Sequence, residues 1–368
     1  MISLVTMKID NLRLLVKNTN KGGGTPTRAG NANYVSIVYS LEGKVLHRID
    51  FPLACDVNGF LGGPNDAVTF YQYHSFTFPP ISYRYDLRTF ESKLISNTKL
   101  HYDYTKFVTK QEFYQSKDGT KIPIYIVHKK NIKLNGENPC LQYGYGGFGI
   151  SLEPFFDPGL IYFLERGGVF AAPCIRGGGE YGQDWHDGGR QLKKQNSFDD
   201  FIAAAEYMIA QKYTNPSKLA MTGASNGGLL VGAVMTQRPE LFKAAVARVG
   251  VFDMLRFQHY TIGNAWASEY GLSSDSVHFK NLIKYSPLHN VRKISYPSTL
   301  ITTGDHDDRV PPFHSYKFAA TLQKMNTGPN PILLLTSENA GHNGPATYED
   351  YLNEKVFIYG FILNELGK

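Results

Sequence analysis

One serine, flanked by small residues, is the side chain of this sequence best placed for chemistry. Ser225 lies in the segment 223–228, Gly-Ala-Ser-Asn-Gly-Gly, which has the form G-x-S-x-G. A β-prone run, 218–222, precedes it, and a helix-prone run, 229–235, follows it. Strand, sharp turn and helix in this order form a nucleophile elbow, which raises the serine hydroxyl clear of the sheet. We therefore expect a hydrolase nucleophile; a tight structural turn is the alternative.

A histidine partner is expected beyond Ser225, because hydrolases of this architecture carry their triad in the chain order Ser, acid, His. His306, His314 and His342 are the candidates. His342 lies on a glycine-flanked loop shortly after the apolar run 332–335, from which its ring can reach a nucleophile. His314 begins a helical pattern and is expected to be a surface or packing residue. We expect His342 to be the general base, with an ordinary loop histidine as the alternative.

The acid of a triad is expected between these two residues, after a strand. The β-prone run 298–303 leads into three carboxylates, Asp305, Asp307 and Asp308. A triad needs one of them, buried and aimed at the imidazole, to hold its tautomer and to stabilise the imidazolium. Spacing does not choose among the three. At least one is expected to be an ordinary turn or cap carboxylate ahead of a helix that begins near Pro311.

Five collinear segments resemble those of the prolyl oligopeptidase family of serine peptidases. The segments are 143–148 (YGYGGF), 175–182 (IRGGGEYG), 223–230 (GASNGGLL), 284–291 (KYSPLHNV) and 305–310 (DHDDRV). The resemblance extends over roughly residues 100–368 and, more loosely, over residues 40–100. It implies that Asp307, the first residue of Asp-Asp-Arg, is the acid of the triad. Ala224 departs from the family pattern, which usually has glycine before the serine, but a methyl group is small enough for many such turns.

The resemblance implies a serine-type endopeptidase that hydrolyses peptide bonds on the carboxyl side of proline in short peptides. The elbow architecture makes the backbone N–H of Asn226 one oxyanion donor. The resemblance makes the Tyr145 hydroxyl the second donor and gives Arg309 the role of binding a substrate carbonyl. It also implies a flat apolar proline pocket made by Phe148, Val251, Trp266, Tyr270 and Val310. Core packing, and an ion pair between Arg309 and a neighbouring aspartate, are the alternatives for these residues.

Two other functions stay open. Family members carry a seven-bladed β-propeller, inserted after an N-terminal segment of the hydrolase domain, and this sequence has room for only part of it. A catalytically impaired short form that acts as a binding module is therefore one alternative. A general esterase of the same fold is the other, although Trp266 and Arg309 favour a peptide over a lipid ester.

The surrounding pattern supplies the elements that must position these residues. From about residue 110, β-prone runs alternate with helical patterns, which predicts an α/β-hydrolase domain over 101–368 with a mostly parallel sheet. Asp157 and Pro158 predict a helix start, and Ser197, three residues before an acid, predicts a capping arrangement at another. The predicted strands include 122–127, 140–143, 169–172 and 244–249, and a long helix is predicted over 348–366.

Residues 1–100 have a different pattern. Strands are predicted at 34–39, 44–51, 68–73 and 81–87, with a flexible glycine-rich loop at 21–30. A propeller blade takes about 40–45 residues, so this stretch predicts a partial β-propeller of about two blades. The chain is accordingly expected to be a fragment or a shortened form.

Composition narrows the remaining classes. The net charge is +6 without a dense Lys/Arg run, so we expect no nucleic-acid partner. No zinc-ligand spacing is present, and we expect neither a metal nor another cofactor. Cys55, Cys140 and Cys174 read as reduced small residues of a cytoplasmic protein. No run is long and apolar enough for a signal peptide or a membrane span, and a monomer is expected.

Overall fold

The computed structural model describes residues 4–9, 12–20, 34–40, 42–52, 54–63 and 65–367. The predicted loop at 21–30 lies outside these residues. Within the described ranges, the chain divides into two compact units. The first takes in Met1–Gln111 and Glu153–Ile161, and the second Glu112–Leu152 and Tyr162–Lys368. The sequence predicts a boundary between residues 100 and 101, and it carries no signal for the assignment of Glu153–Ile161 to the first unit.

The first unit contains two antiparallel sheets, each of four strands within the described ranges. One sheet has the order β1 (Leu4–Ile9), β2 (Leu12–Asn20), β3 (Tyr34–Tyr39), β4 (Val45–Asp50). The other has the order β5 (Cys55–Leu61), β6 (Val68–Ser75), β7 (Ile81–Asp86), β8 (Glu91–Ser96). Sequential antiparallel strands of this kind are the form of a propeller blade, and the described residues do not close a propeller ring.

A larger sheet, eight-stranded over the part of the chain that the structure describes, follows. Its strands are β9 (Phe107–Gln115), β10 (Lys121–Lys129), β11 (Cys140–Tyr143), β12 (Val169–Pro173), β13 (Leu219–Ala224), β14 (Ala244–Arg248), β15 (Ser298–Gly304) and β16 (Ile332–Ser337). Their order is β16-β15-β14-β13-β11-β12-β10-β9. From β12 to β16 every neighbouring pair is parallel, while β10 pairs antiparallel with β12. Parallel strands place their carboxyl ends at one edge, where ligands bind in such sheets.

Helices connect these strands, which is why the sheet can be parallel. They are α1 (Pro158–Glu165), α2 (Gln183–Asp187), α3 (Gln195–Ala210), α4 (Asn226–Gln237), α5 (Ala267–Tyr270), α6 (Ser276–Tyr285), α7 (Phe313–Met325) and α8 (Tyr348–Glu365). The central strands are largely buried, as strands covered on both faces must be. β15 is buried at every position, and β13 is buried at four of its six. α4 is buried over nearly its whole length.

The capping arrangement predicted at Ser197 is wrong. α3 begins two residues earlier, at Gln195, and Lys194 occupies its N-cap position without a capping side chain. The Ser197 hydroxyl donates instead to the backbone carbonyls of Arg176 and Gly189. Because the Ser197 hydroxyl is hydrogen-bonded to these two carbonyls outside α3, it does not cap the helix, and Ser197 lies inside the first turn of α3.

The cap predicted at Asp157 is present, since its carboxylate accepts from the backbone N–H of Gly159 at 2.8 Å. The helix expected near Pro311 begins at Phe313. No helix of the described residues is long and apolar enough to cross a membrane.

Candidate active site

The turn between β13 and α4 has the geometry of a nucleophile elbow. Ser225 stands between the two elements with φ 59° and ψ −115°, a left-handed conformation that is strained for a residue with a side chain. Its backbone N–H donates to the carbonyl of Arg248 on β14 at 2.9 Å. Its carbonyl accepts from Leu229 and so starts the helix. Strand pairing and helix initiation together hold the serine in this conformation.

Close backbone approach explains the small residues around the serine. A Cβ added at Gly223 would lie 2.5 Å from the carbonyl oxygen of Gly227, and one added at Gly227 would lie 2.5 Å from that of Gly144. A Cβ at Gly228 would meet the carbonyl oxygen of Arg248, also at 2.5 Å. The glycines of the motif are thus required by packing as well as by the turn.

The acid loop after β15 brings one of its three carboxylates to the histidine. Asp307 Oδ2 lies 2.8 Å from His342 Nδ1, and the side chains are 0% and 8% exposed, respectively. Asp307 Oδ1 accepts from the backbone N–H groups of Arg309 and Val310 at 3.0 and 2.8 Å. The carboxylate is therefore fixed by its own loop and aimed at the imidazole.

The other two carboxylates have different surroundings. Asp305 pairs with the exposed ring of its neighbour His306 at 2.7 Å, and this hydrogen bond lowers the pKa of Asp305. Asp308 is exposed. His314 is buried, and its Nδ1 accepts a hydrogen bond from the backbone N–H of Asp253 at 3.1 Å. Of its two predicted roles, surface residue and packing residue, the structure shows the second.

A cavity of about 320 Å³ opens at the carboxyl edge of the sheet. Its lining includes Tyr145, Ser225, Arg248, Arg309, His342 and Glu354. Four residues predicted from different parts of the sequence, Tyr145, Ser225, Arg309 and His342, therefore face one space. Within the described residues no hydrogen bond joins the Ser225 hydroxyl to His342. Nucleophile and base are often this loosely placed in the absence of substrate.

The two residues expected to supply the oxyanion donors, Tyr145 and Asn226, are joined by a hydrogen bond. The backbone N–H of Asn226 is the first of α4, a position where helical N–H groups have no partner within the helix. The Asn226 side chain donates to the Tyr145 carbonyl at 2.5 Å. Burial raises the pKa of the Tyr145 hydroxyl to about 12, although the positive charge of Arg309 opposes the shift. Tyr145 therefore keeps its proton, and with it the ability to donate, at any physiological pH.

The apolar residues expected to form a proline pocket lie in one hydrophobic cluster. Val251, Tyr270 and Val310 are buried within it, and Phe148 and Trp266 pack against it. Tyr270 meets Phe148 edge to face at 5.7 Å. These five do not line the 320 Å³ cavity described above. Two of them touch residues of the candidate site, since the Val310 N–H donates to Asp307 and the Tyr270 hydroxyl donates to the Asn226 side chain.

The guanidinium of Arg309 has no ion-pair partner among the residues that the structure describes. The alternative of an ion pair with Asp307 or Asp308 is therefore wrong. The Arg309 side chain is exposed and faces the cavity, while its backbone carbonyl accepts from the Thr261 hydroxyl at 2.8 Å.

Sequence reasoning missed several charged residues at the site. Arg248, at the end of β14, pairs with Glu354 of α8 at 3.0 Å, and both line the cavity. Lys194 is fully buried and pairs with Glu269 at 3.1 Å. The partners are 106 and 75 residues apart in the chain, and neither pair lies in a motif, so no signal in a single sequence identifies them. No group of His, Cys, Asp and Glu side chains in the described part of the chain could hold a metal ion.

Comparison with known proteins identifies the family of this chain. Residues 155–368 match the sequence profile described as "Prolyl oligopeptidase family". The chain belongs to the prolyl oligopeptidase family. It is 44% identical over 331 residues to a prolyl endopeptidase of Elizabethkingia meningoseptica, an alignment covering 89% of this chain and 47% of the relative. It is 44% identical over 350 residues to a prolyl endopeptidase of Dictyostelium discoideum, which covers 90% of this chain and 44% of that relative.

Solved structures give the same result. One, from a structural and mechanistic analysis of two prolyl endopeptidases, superposes with a TM-score of 0.90 at 39% identity and covers 100% of this chain and 53% of its own. Prolyl oligopeptidase B from Galerina marginata, bound to a 35mer hydrolysis and macrocyclization substrate, superposes with a TM-score of 0.89 at 37% identity. The chain spans about half the length of the relatives it matches. The predicted fold class is confirmed: an α/β-hydrolase domain with a mostly parallel sheet, preceded by an N-terminal β-sheet region.

Proposed function

We propose that this chain carries the catalytic site of a serine endopeptidase that cleaves on the carboxyl side of proline in short peptides. The observation that carries the proposal is the Asp307–His342 hydrogen bond of 2.8 Å beside a cavity shared with Ser225 on its strained turn. Two of the relatives above are named prolyl endopeptidases, and this supports the choice of proline.

In the proposed mechanism, the Ser225 hydroxyl attacks the carbonyl carbon of the scissile bond. His342 takes the hydroxyl proton through Nε2 and later gives it to the leaving amine. Asp307 accepts a hydrogen bond from the Nδ1–H of the ring, which selects the tautomer with an unprotonated Nε2 and stabilises the imidazolium that forms. The acyl-enzyme is then hydrolysed by water, which His342 activates in the same way.

The negative charge that develops on the substrate oxygen needs donors that are in place beforehand. The backbone N–H of Asn226 and the hydroxyl of Tyr145 are the proposed pair. The raised pKa of Tyr145 supports this role, because a phenol that keeps its proton can donate to an oxyanion over the whole working range of pH.

Proline recognition is assigned to the apolar cluster and to Arg309. A pyrrolidine ring presents two apolar faces and, once in a peptide, no N–H, so a pocket of aromatic and aliphatic side chains suits it. Trp266 and Phe148 are the partly exposed members of the cluster. An unpaired guanidinium on the cavity wall is free to donate to a substrate carbonyl, which supports that role for Arg309.

The test compares three fluorogenic or chromogenic substrates with the full chain. A blocked Gly-Pro-aminomethylcoumarin should be cleaved at least about 100-fold more efficiently than its Gly-Ala counterpart. A short-chain nitrophenyl ester reports esterase activity that does not depend on proline. Equal turnover of all three would replace the proline-specific peptidase with a general esterase. A chain that neither turns over any of them nor reacts with a fluorophosphonate would be the binding module.

Substrate length needs a separate measurement. A ten-residue peptide and an unfolded protein that contain the same Pro-X bond are offered at equal concentration of that bond. Preferential cleavage of the peptide supports the assignment to short peptides. Equal cleavage would remove the restriction on length and leave the proline specificity intact.

We further propose that the protein acts as a monomer in the cytoplasm. Support for the compartment comes from Cys55, Cys140 and Cys174, all of which are free and buried. Burial raises the pKa of the Cys140 thiol well above its ordinary value, so the sulfur is unreactive. Sedimentation of the purified chain tests the monomer, and a dimer at micromolar concentration would contradict it.

A further inference from the structure

Two consecutive carbonyls of the Tyr145 loop are held by side chains from different parts of the chain. The Tyr145 carbonyl accepts from the Asn226 side chain at 2.5 Å. The next carbonyl, of Gly146, accepts from the Lys194 ammonium at 2.9 Å. Gly146 has φ 62°, so the loop turns sharply between these two anchors. This pair of hydrogen bonds holds the backbone that carries the Tyr145 side chain.

Two consecutive residues of α5 hold the same two side chains from the other side. The Tyr270 hydroxyl donates to Asn226 Oδ1 at 2.9 Å. The Glu269 carboxylate accepts from Lys194 at 3.1 Å. The bonds therefore form a closed ring through the Tyr145 loop, the residue after the nucleophile, and the helix of the proposed proline pocket. We call this the Lys194 ring; its members are Tyr145, Gly146, Lys194, Asn226, Glu269 and Tyr270.

Lys194 is an unusual residue to find in this place. Its side chain is 1% exposed and that of Glu269 is 2% exposed. Burial lowers the pKa of Lys194, and the carboxylate of Glu269 opposes that shift. The ammonium also lies 5.5 Å from the centre of the Tyr270 ring, within the range of a cation–π contact. A buried ion pair is weak evidence for stability, because an apolar pair of similar volume often serves the fold as well.

A third group extends the ring toward solvent. His186 Nε2 lies 2.7 Å from the second oxygen of Glu269, and the His186 side chain is 17% exposed. Both carboxylate oxygens of Glu269 are thus engaged, and the carboxylate cannot rotate without breaking one contact. This geometry fixes the direction in which Lys194 points.

We propose that Lys194 is a positioning residue that closes the ring and thereby holds the Tyr145 hydroxyl and the Asn226 N–H in register as an oxyanion pair. The inference rests on the proposed function, since it assigns Lys194 a part in the same reaction. Lys194 touches no reacting atom; it acts through the Gly146 carbonyl. An oxyanion donor displaced by about 1 Å can cost on the order of 100-fold in rate.

The test uses a pair of variants that separates positioning from buried charge. Glu269→Gln keeps an oxygen acceptor for Lys194 and leaves the Gly146 bond in place. Adding Lys194→Met to it removes the ammonium without leaving an unpaired carboxylate, so the fold is preserved. Lys218→Met is the matched control, because Lys218 donates to the Leu366 carbonyl at 2.9 Å beside the opposite, amino end of β13.

The main readout is the rate constant for phosphonylation of Ser225 by a fluorophosphonate, per mole of folded chain. The phosphonyl oxygen occupies the oxyanion site, so this rate reports the site whether or not a proline peptide is cleaved. We expect Lys194→Met on the Glu269→Gln background to lower it at least about 10-fold. Lys218→Met should change it less than about 3-fold, and Glu269→Gln alone is the reference against which the Lys194→Met effect is measured.

A double-mutant cycle supplies a readout that a purely structural role would not move. If Lys194 acts through Tyr145, the effect of Lys194→Met should shrink below about 3-fold once Tyr145→Phe has removed the hydroxyl. An undiminished effect, or an unchanged rate in the first comparison, would overturn the positioning role. Phosphonylation that depends on Lys194, together with no cleavage of the Gly-Pro substrate, would uphold the ring and contradict the proposed peptidase.

Discussion

Both units of the chain contain non-glycine residues with a left-handed backbone, and in the second unit two of these residues face a polar cavity. In the first unit Phe60 lies at the bulge of β5, with φ 57°, and Phe90 lies in the turn before β8, with φ 60°. In the second unit Ser225 and Val249, with φ 59° and 41°, line the cavity of the candidate site. Phe60 and Phe90 bend or end strands, whereas Ser225 and Val249 face a cavity with titratable groups.

The difference teaches how to interpret backbone strain. The first unit has a small aromatic core, in which Phe60 stacks on Tyr71 at 4.8 Å, and its strand β8 is exposed throughout. Strain there accompanies sheet geometry, at a bulge and at a turn. In the second unit Ser225 lies between a strand of the parallel sheet and a buried helix. These elements keep its backbone in a strained conformation that a loop alone would relax. A strained backbone indicates chemistry when it also stands at a cavity lined by donors and titratable side chains, as at Ser225.

The sharpest test of this contrast removes the Ser225 hydroxyl. We expect Ser225→Ala to abolish fluorophosphonate labelling and to lower peptide turnover by at least about 10⁴-fold, because no other group can form the acyl-enzyme. Ser337→Ala is the control, since Ser337 lines the same cavity without standing at the turn. Labelling that survives in the Ser225 variant would move the nucleophile elsewhere.

The acid loop gives the next largest effect. Asp307→Asn should lower kcat by about 10⁴-fold, because an amide in place of the carboxylate favours the wrong tautomer of His342. The same substitution at Asp305 or Asp308 should cost less than about 10-fold, since neither contacts His342. Steady-state kinetics of the three variants decide the point, and equal losses would remove the reason for choosing Asp307.

The oxyanion pair comes third. Tyr145→Phe should lower kcat about 100- to 1,000-fold with a smaller change in KM, as expected for a donor that acts mainly in the transition state. Tyr143→Phe is the control, because Tyr143 lines the same cavity at the end of β11. A loss confined to KM would assign Tyr145 to substrate binding.

A substitution in the first unit should separate stability from chemistry. Phe60→Ala is expected to destabilise that unit by about 3–5 kcal/mol through the cavity it leaves, while the rate of Ser225 phosphonylation stays within about 2-fold. Phe70→Ala, at a side chain that is 55% exposed, is the control. Hydrogen exchange read peptide by peptide locates the change, and a large loss of Ser225 reactivity would contradict the division of labour between the units.

The smallest expected effect on activity comes from a buried histidine of the second unit. Burial lowers the pKa of His314 to about 4, from an ordinary value of 6.5. Between these pH values the unfolded chain binds more protons than the folded one, so the free energy of unfolding should fall as the pH drops from 7 to 4. The expected fall from this group is about 3 kcal/mol.

Tryptophan fluorescence during urea unfolding measures it, because both tryptophans, Trp185 and Trp266, lie in the second unit. His314→Gln should remove this part of the pH dependence, since glutamine does not titrate. An equally steep fall in the variant would assign the acid sensitivity to other groups.

Local sequence was enough to predict most of the second unit. The run of small residues at 223–228 predicts a sharp turn, because no larger side chain fits the backbone contacts that the structure has there. Alternating apolar strands and helical patterns predict a parallel sheet, and the chain order of Ser225, the acid loop and His342 follows from that architecture. These are short-range patterns, which a sequence displays directly. The catalytic roles drawn from them stay predictions until the variants above are measured.

Only the tertiary structure distinguishes among equivalent side chains and pairs distant ones. Residue spacing left Asp305, Asp307 and Asp308 equal; the family resemblance favoured Asp307, and the fold buries that carboxylate against His342 while it leaves Asp308 exposed. Lys194 and Glu269 lie 75 residues apart, and the residues around each of them in the sequence do not indicate that they form a pair. A charge is buried when several helices and strands pack around it. Which elements pack together is decided by the fold of the whole chain, so a short stretch of sequence does not show it.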